Sequence, residues 1–318
     1  MKLVTGANGF LGRAVLTALE ERGIPVRAAV RTLGLNHDVA VGDIGPSTNW
    51  VSAMEGVDTI VHTAARTHVM NESALDPLSE YRKVNVEGTL NLARQAATAN
   101  VRRFIFISSV KVNGEKSPPG RPFLMDDPPA PSDAYAVSKW EAEVGLARVA
   151  KDTGMEVVII RPPLVYGPGV RANFLRMMRW VNSGMPLPLG SIHNKRSLVA
   201  LDNLVDLIMV AIEHPAAANQ TFFASDGEDL GTTELLQQLG TALGKPARLI
   251  PVPVTVLNFI ASLLGRKHLA QRLCASLQID ISKTRALLGW EPPVSVNEAL
   301  RKTTRDFRSR LCSSQHDV

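Results

Sequence analysis

The stretch KLVTGANGFLGRAVLTALEERG sets three glycines, Gly6, Gly9 and Gly12, between a short apolar run and an amphipathic helical period. Glycine takes backbone conformations closed to other residues and lets a main chain come close to a phosphate. The helix that follows offers free N–H groups and the positive end of its dipole at its N-terminus. The order strand, glycine turn, helix predicts a dinucleotide site where a parallel sheet meets its first helix. Gly23 is the expected stop for that helix.

The first half of the chain continues the pattern. PVRAAVR, VAVGDI, DTIVHTAA, RFIFISS and MEVVIIRPP are short apolar runs, and a long helical period covers 78–100. RFIFISS is apolar enough for burial on both faces. The alternation predicts an α/β fold, a doubly wound parallel sheet (Rossmann) with a smaller C-terminal substrate-binding lobe. The expected dinucleotide-binding domain is 1–165, with 196–215 packing back onto it, and the smaller lobe is 166–195 and 216–318. Residues 113–133, rich in Pro, Gly and charge, read as a long loop, of a length usually tied to function.

Composition removes several classes of function. The net charge of +5 is spread over 318 residues, and LRKTTRDFRSR reads as a solvated terminal helix, so no nucleic-acid partner is expected. Cys274 and Cys312 stand far apart and the seven histidines do not cluster, which argues against a disulfide framework and against a metal site. That usage fits a cytoplasmic protein. MKLVTGANGF runs straight into a strand and a turn, so no signal peptide is expected. The longest apolar stretch, VPVTVLNFIASLLG, is interrupted by Pro, Asn and Ser and is too short to span a bilayer. It reads as a core or domain-packing helix, with a membrane-surface role as the lesser alternative.

In AYAVSK, Tyr135 and Lys139 share one helix face at i, i+4. Hydride transfer at an alcohol carbon needs a partner for the hydroxyl proton. A free Tyr, with a pKa of about 10, is a poor base at neutral pH. A Lys ammonium one turn away is expected to favour the phenolate and lower that value. Ser108 and Ser109 end a buried strand, at the edge where open α/β sheets place ligands, and can hold the substrate oxygen. Arg31 ends the second strand with no acid beside it. An Arg there accommodates the 2′-phosphate of NADP, whereas an acid would hold the ribose of NAD, so NADP is the leading expectation and NAD the other.

TGANGFLG, VHTAA, NVEGT, FISSVKVNG, YAVSK, RPPLVYGPG and LGWEPPVSVNEAL together resemble the extended short-chain dehydrogenase/reductases. Within them they resemble the NAD(P)-dependent nucleotide-sugar epimerase/dehydratase family of UDP-glucose 4-epimerase type, over nearly the whole chain. The resemblance implies that Tyr135 is the catalytic base and acid. Lys139 would tune it and bind the nicotinamide ribose, and Ser109, rather than Ser108, would be the catalytic hydroxyl that also meets substrate. Implied cofactor contacts are Thr5, Gly6, Asn8, Gly9, Phe10, Leu11 and Gly12 in the turn, with Asp43 (on the adenine amino group), Ile44, Ala64, Ala65 and Pro162. Asn85 would be the structural Asn of the central helix. Asn173 and Arg196 would contact the diphosphate of a UDP-sugar, Arg196 by the bidentate fit of guanidinium to phosphate. His68 would reach the sugar, while Asp202 is expected to cap the next helix. A homodimer built on the helices of 78–100 and 135–153 is also implied.

Two departures narrow the chemistry. Asn113 stands where the family often has Tyr before Gly, and Val110 and Lys111 stand where sugar dehydratases carry an acidic pair. Dehydration needs an added acid and base, so that branch is disfavoured. Two outcomes use the remaining residues. The leading expectation, from Arg31, is a 4-ketoreductase of a UDP-4-keto-6-deoxy sugar in surface-polysaccharide biosynthesis. The alternative is a UDP-sugar 4-epimerase, of UDP-glucose or UDP-GlcNAc type, with retained NAD. A non-catalytic cofactor-sensing protein is remote, because Tyr135, Lys139 and Ser109 all stand.

Overall fold

The computed structural model describes residues 1–33, 38–67, 76–118, 120–263, 265 and 273–313. In chain order the strands are Lys2–Thr5 (β1), Val26–Val30 (β2), Asp38–Ala40 (β3), Thr59–His62 (β4), Arg103–Ile107 (β5), Glu156–Arg161 (β6), Leu164–Tyr166 (β7), Arg196–Ala200 (β8), Thr221–Phe223 (β9) and Asp229–Leu230 (β10). The helices are Phe10–Glu21 (α1), Pro77–Arg82 (α2), Thr89–Thr98 (α3), Ala134–Thr153 (α4), Ala172–Ser183 (α5), Leu201–Glu213 (α6), Thr232–Leu243 (α7), Val254–Leu263 (α8), Ser282–Leu288 (α9) and Val296–Ser313 (α10).

Seven strands form one sheet in the order β3-β2-β1-β4-β5-β6-β9, every pair parallel. Successive side chains of a strand point to opposite faces. Val4, Val61, Ile105, Val158 and Ile160 pack with Val15 and Leu19 of α1 and Leu204 and Ile208 of α6. Leu3, Ile60, Phe104, Phe106 and Val157 pack on the other side, with Leu92 and Ala96 of α3 and Ala142 and Leu146 of α4. The central strands β5 and β6 are therefore apolar between charged ends. Arg103, which opens β5, is buried, and its guanidinium bonds Glu156 at 2.7 Å and the Ala211 carbonyl at the end of α6 at 2.7 Å.

A second sheet, β10-β8-β7, belongs to the smaller lobe, whose core combines α5, α7 and α10. Here the structure moves a boundary. Thr221–Phe223, assigned by the sequence to the smaller lobe, pairs with β6 as the last strand of the large sheet. Within the segment expected to return to the first domain, α6 does so by packing on α1, while β8 stays in the small sheet. The loop of 113–133 also joins the lobes, because the Phe123 N–H donates to the Gln278 carbonyl at 2.8 Å and the Ser117 N–H to the Ser276 carbonyl at 3.0 Å. Asp202 is not the cap expected of it. It lies inside the first turn of α6, paired with Lys302 at 2.8 Å, and the N–H of the capping residue Ala200 goes to buried Asp226 at 2.7 Å.

The helical period of 78–100 is observed as α2, a wider π-helical turn Lys83–Gly88, and α3. Such turns recur near functional sites. This one carries Asn85, which is buried and donates to Ser138 Oγ of α4 and to the Arg66 carbonyl, both at 3.0 Å. At Gly88 an added Cβ would stand 2.7 Å from Ile44 Cγ2, so the missing side chain lets the loop after β3 approach the helix. The apolar stretch from Val252 becomes α8, which turns Val254 and Leu257 to the second core but leaves Phe259 and Leu263 at 66% and 72% exposure. Among the described residues no helix is long and apolar enough to cross a membrane.

Candidate active site

The strand order reverses between β1 and β4, which opens a crevice at their C-terminal ends. The glycine turn occupies it. Gly6 takes φ +67°, its carbonyl accepts the Gly9 N–H at 2.8 Å, and an added Cβ would stand 2.8 Å from the Ala64 backbone. At Gly12 a Cβ would fall 2.2 Å from the Gly6 carbonyl oxygen, so no larger residue fits. Gly9 caps α1 without a side-chain bond, and no acid stands in the first turn. Among the described residues no side chain claims the N–H groups of Phe10, Leu11 and Gly12 that begin the helix, a cradle that fits a diphosphate. Asn8 and Gly9 are exposed at its rim, while Phe10 and Leu11 are half-buried.

Thr5 is buried, with Oγ1 2.6 Å from His62 Nδ1 and accepting the Ala64 N–H at 3.4 Å. It holds half-buried Ala64 and Ala65 opposite the turn. Ile44 is half-buried against Gly88, and Pro162 is buried with its carbonyl accepting the Val110 N–H at 3.0 Å. The structure joins two residues that the sequence treats separately, since Arg31 Nε and Asp43 Oδ1 form an exposed ion pair at 2.7 Å.

Asp133 caps α4 by accepting the Ala136 N–H at 2.7 Å, and Tyr135 follows in the first turn, its ring 6.1 Å from that of Tyr81. Lys139, one turn on, is 2% exposed, with Nζ 4.2 Å from the centre of the Phe106 ring. Burial pushes the Tyr135 phenol up, and the charge of Asp133 adds to the effect. Burial also pushes Lys139 down to about 7, against the pull of Glu143. The expected lowering of Tyr135 by Lys139 is therefore not the state of the protein alone. Partial burial of Tyr135 and full burial of Lys139 penalise phenolate and ammonium alike. His62 behaves similarly: burial lowers it to about 3, and it bridges Thr5 and Thr89 as a neutral ring.

Ser109 is half-buried and opens the 3-10 turn Val110–Val112, its Oγ accepting the Lys111 N–H at 3.2 Å. Ser108 points the other way, into the interior, where its hydroxyl donates to Glu143. Glu143 was missed by sequence reasoning. It accepts from Arg161 Nε at 3.0 Å and from Arg161 Nη2, and Arg161 Nη1 donates to Asn113 Oδ1 at 3.0 Å. All four side chains are buried. The signals were an Arg ending an apolar strand and an acid one turn past Lys139 on the same helix face.

In the smaller lobe Asn173 is exposed in the first turn of α5, after Ala172 in a left-handed conformation with φ 52°. Arg196 is half-buried in β8 and donates to the Ala275 carbonyl at 3.0 Å. His68 lies outside the described residues. Among the described residues no cluster of three or more metal-ligating side chains occurs.

Sheet, switch point and cradle together define a dinucleotide-binding protein of the doubly wound α/β class. The sequence profile of the NAD dependent epimerase/dehydratase family matches residues 2–223, and the chain belongs to that family. It is 48% identical over 311 residues to the UDP-glucose 4-epimerase of Vibrio cholerae, a match covering 96% of this chain and 94% of that one. Among solved structures it resembles UDP-glucuronic acid 4-epimerase from Bacillus cereus in complex with NAD, with TM-score 0.79 and 23% identity over 98% of this chain and 99% of that one. UDP-glucose 4-epimerase from Thermotoga maritima with UDP-glucose gives TM-score 0.77 at 23% identity, with the same coverage. At that identity the two structures share the fold.

Lys139 falls from 10.5 to about 7 on folding, so between those values the unfolded chain binds more protons and stability rises with pH. Lys139→Met is expected to remove that rise and to stabilise the protein at pH 7 by about 1–3 kcal/mol. Urea unfolding at pH 7 and pH 9 reads both effects, and an unchanged pH dependence would clear Lys139 of them. Arg161→Met strands the Glu143 carboxylate and is expected to cost about 3–5 kcal/mol. Recovery of part of that loss in the Glu143→Leu/Arg161→Met double variant is the matching expectation.

Proposed function

We propose that this protein is a UDP-sugar 4-epimerase of UDP-glucose or UDP-GlcNAc type that retains NAD between turnovers. The observation carrying the reading is 48% identity to the Vibrio cholerae UDP-glucose 4-epimerase over nearly the full length of both chains. The alternative weighed in the sequence thereby moves ahead of the 4-ketoreductase. The reductase drew on Arg31 as a partner for a 2′-phosphate, and that guanidinium is engaged by Asp43.

In this reading the glycine turn, Thr5, Ile44, Ala64 and Ala65 hold the dinucleotide, Asp43 meets its adenine, and Lys139 its ribose. The bound nicotinamide supplies a reversible hydride acceptor. Tyr135 takes the proton of the sugar C4 hydroxyl and later returns it, while Ser109 holds the C4 oxygen in line with the phenol. Lys139, when it carries its proton, gives the phenolate a cation one helical turn away. Asn173 and Arg196 take the diphosphate of the UDP-sugar. The same reading makes the protein a cytoplasmic homodimer, joined through the helices of 78–100 (α2 to α3) and 135–153 (α4), that supplies sugars for surface polysaccharide.

The direct test incubates the protein with UDP-glucose or UDP-GlcNAc and no added cofactor. Appearance of the 4-epimer supports the proposal, whereas stoichiometric oxidation of NADPH on a UDP-4-keto-6-deoxy sugar, without epimerisation, would move it to the reductase. Tyr135→Phe is expected to lower kcat by about 10²–10⁴-fold with little change in KM. Asp43→Asn frees Arg31 and is expected to raise the ratio of NADP to NAD affinity by about two- to five-fold, the scale of an exposed ion pair. Fluorescence titration with each cofactor measures it, and an unchanged ratio would show that Asp43 does not restrain Arg31.

A further inference from the structure

Tyr135 has a carboxylate beside it that the proton-transfer reading does not use. Asp133 is two residues upstream, half-buried, and held in place as the cap of α4. After burial, its charge is the next cause pushing the phenol up. A group that must shed a proton thus stands against a fixed negative charge.

The chain brings a cation to that carboxylate from another element. The Lys111 ammonium, only 16% exposed, bonds Asp133 directly, with the more exposed Glu115 at 3.6 Å. Through its backbone the same residue donates to Ser109 Oγ at 3.2 Å. One lysine therefore links the Ser109 turn at the end of β5 to the first turn of α4. It also stands where sugar dehydratases carry an acid, and an acid there would face Asp133 with like charge.

We propose that Lys111 is a positioning residue for proton transfer: its ammonium cancels the charge of Asp133 beside Tyr135 and locks the Ser109 turn to the start of α4. The inference rests on the reading of Tyr135 as the proton-transfer residue. Among the described residues, other groups facing this region come from several elements. Tyr81 of α2 presents its ring edge and is a lesser cause raising the Tyr135 phenol, and burial holds His62 of β4 neutral. Lys139 of α4 lies over Phe106, and Glu143 of α4 is matched by Arg161 of β6. Among the described residues, Lys111 pairs with Asp133 at the N-terminal end of α4, and Glu115 pairs with Lys111.

The test compares wild type with Lys111→Met, Lys111→Arg and Lys111→Met/Asp133→Asn, all loaded with NAD. Tyrosinate difference absorbance against pH, with Tyr135→Phe as the blank, reads the phenol without turnover. The pH profile of kcat/KM for UDP-sugar epimerisation is the second readout. Lys111→Met is expected to move the Tyr135 titration and the rising limb of kcat/KM up by about 0.5–1 pH unit, with KM nearly unchanged. Lys111→Arg keeps the wild-type profile. Asn still caps a helix, so Asp133→Asn in the Lys111→Met background is expected to reverse the shift without unfolding α4. A Lys111→Met protein whose titration and limb stay in place would overturn the proposal, as would failure of Asp133→Asn to reverse a shift. Loss of stability alone, with both profiles unmoved, would mark Lys111 as merely structural. If wild type epimerises no UDP-sugar, the functional reading fails, and the titration still decides the coupling of Lys111 to Tyr135.

Discussion

The buried pair of Glu143 and Arg161 is the constraint on which the arrangement of the site depends. Two charges taken out of water persist only where hydrogen bonds satisfy them. Here the carboxylate accepts from both Arg161 nitrogens and from Ser108, and the guanidinium also reaches Asn113. These four residues belong to α4, to β6, to the end of β5 and to the turn that follows it. The pair therefore fixes the depth and rotation of α4 against the sheet. Tyr135 and Lys139 stand two turns and one turn before Glu143 on that helix, and Ser109 directly follows Ser108. A site built on rigid elements in this way keeps its geometry before any ligand arrives.

Around that anchor the molecule accepts local cost. Lys139 sits in an apolar wall beside Phe106, where its charged form is penalised, and Tyr135 is penalised in the opposite protonation state. At neutral pH the Lys139 setting lowers stability, and groups perturbed in this way recur at functional sites. The cradle is built differently. It uses no acidic side chain in the first turn of α1, but free N–H groups and glycines packed too tightly for a Cβ. The Tyr135 and Lys139 face thus relies on side chains shielded from water, and the glycine turn on bare backbone.

Where expectation and structure part, the cause is non-local. β9 is three residues long, and its place beside β6 is set by pairing across more than sixty residues of chain. Asp202 looked like a cap because it precedes an apolar helix, but Asp226, brought in from the segment after β9, takes the N–H at that helix start. Arg31 read as a cation awaiting a phosphate, and the fold delivers Asp43 to it. The lowering of Tyr135 by Lys139 followed from their spacing, yet how far each is buried depends on Phe106, His62 and Tyr81, which arrive from other elements.

Local chemistry was legible in the sequence by itself. Glycine spacing after a strand, apolar runs too short for helices, and Tyr and Lys at i, i+4 are properties of neighbouring residues, and backbone sterics and helical periodicity turn them directly into structure. They were enough for the parallel sheet, the cofactor turn and the shared face of Tyr135 and Lys139. Only the tertiary structure decided which charges meet: Glu143 with Arg161, Lys111 with Asp133, Arg31 with Asp43. Charge strength scales with separation and burial, and both are set by how distant segments pack, which no spacing along the chain records.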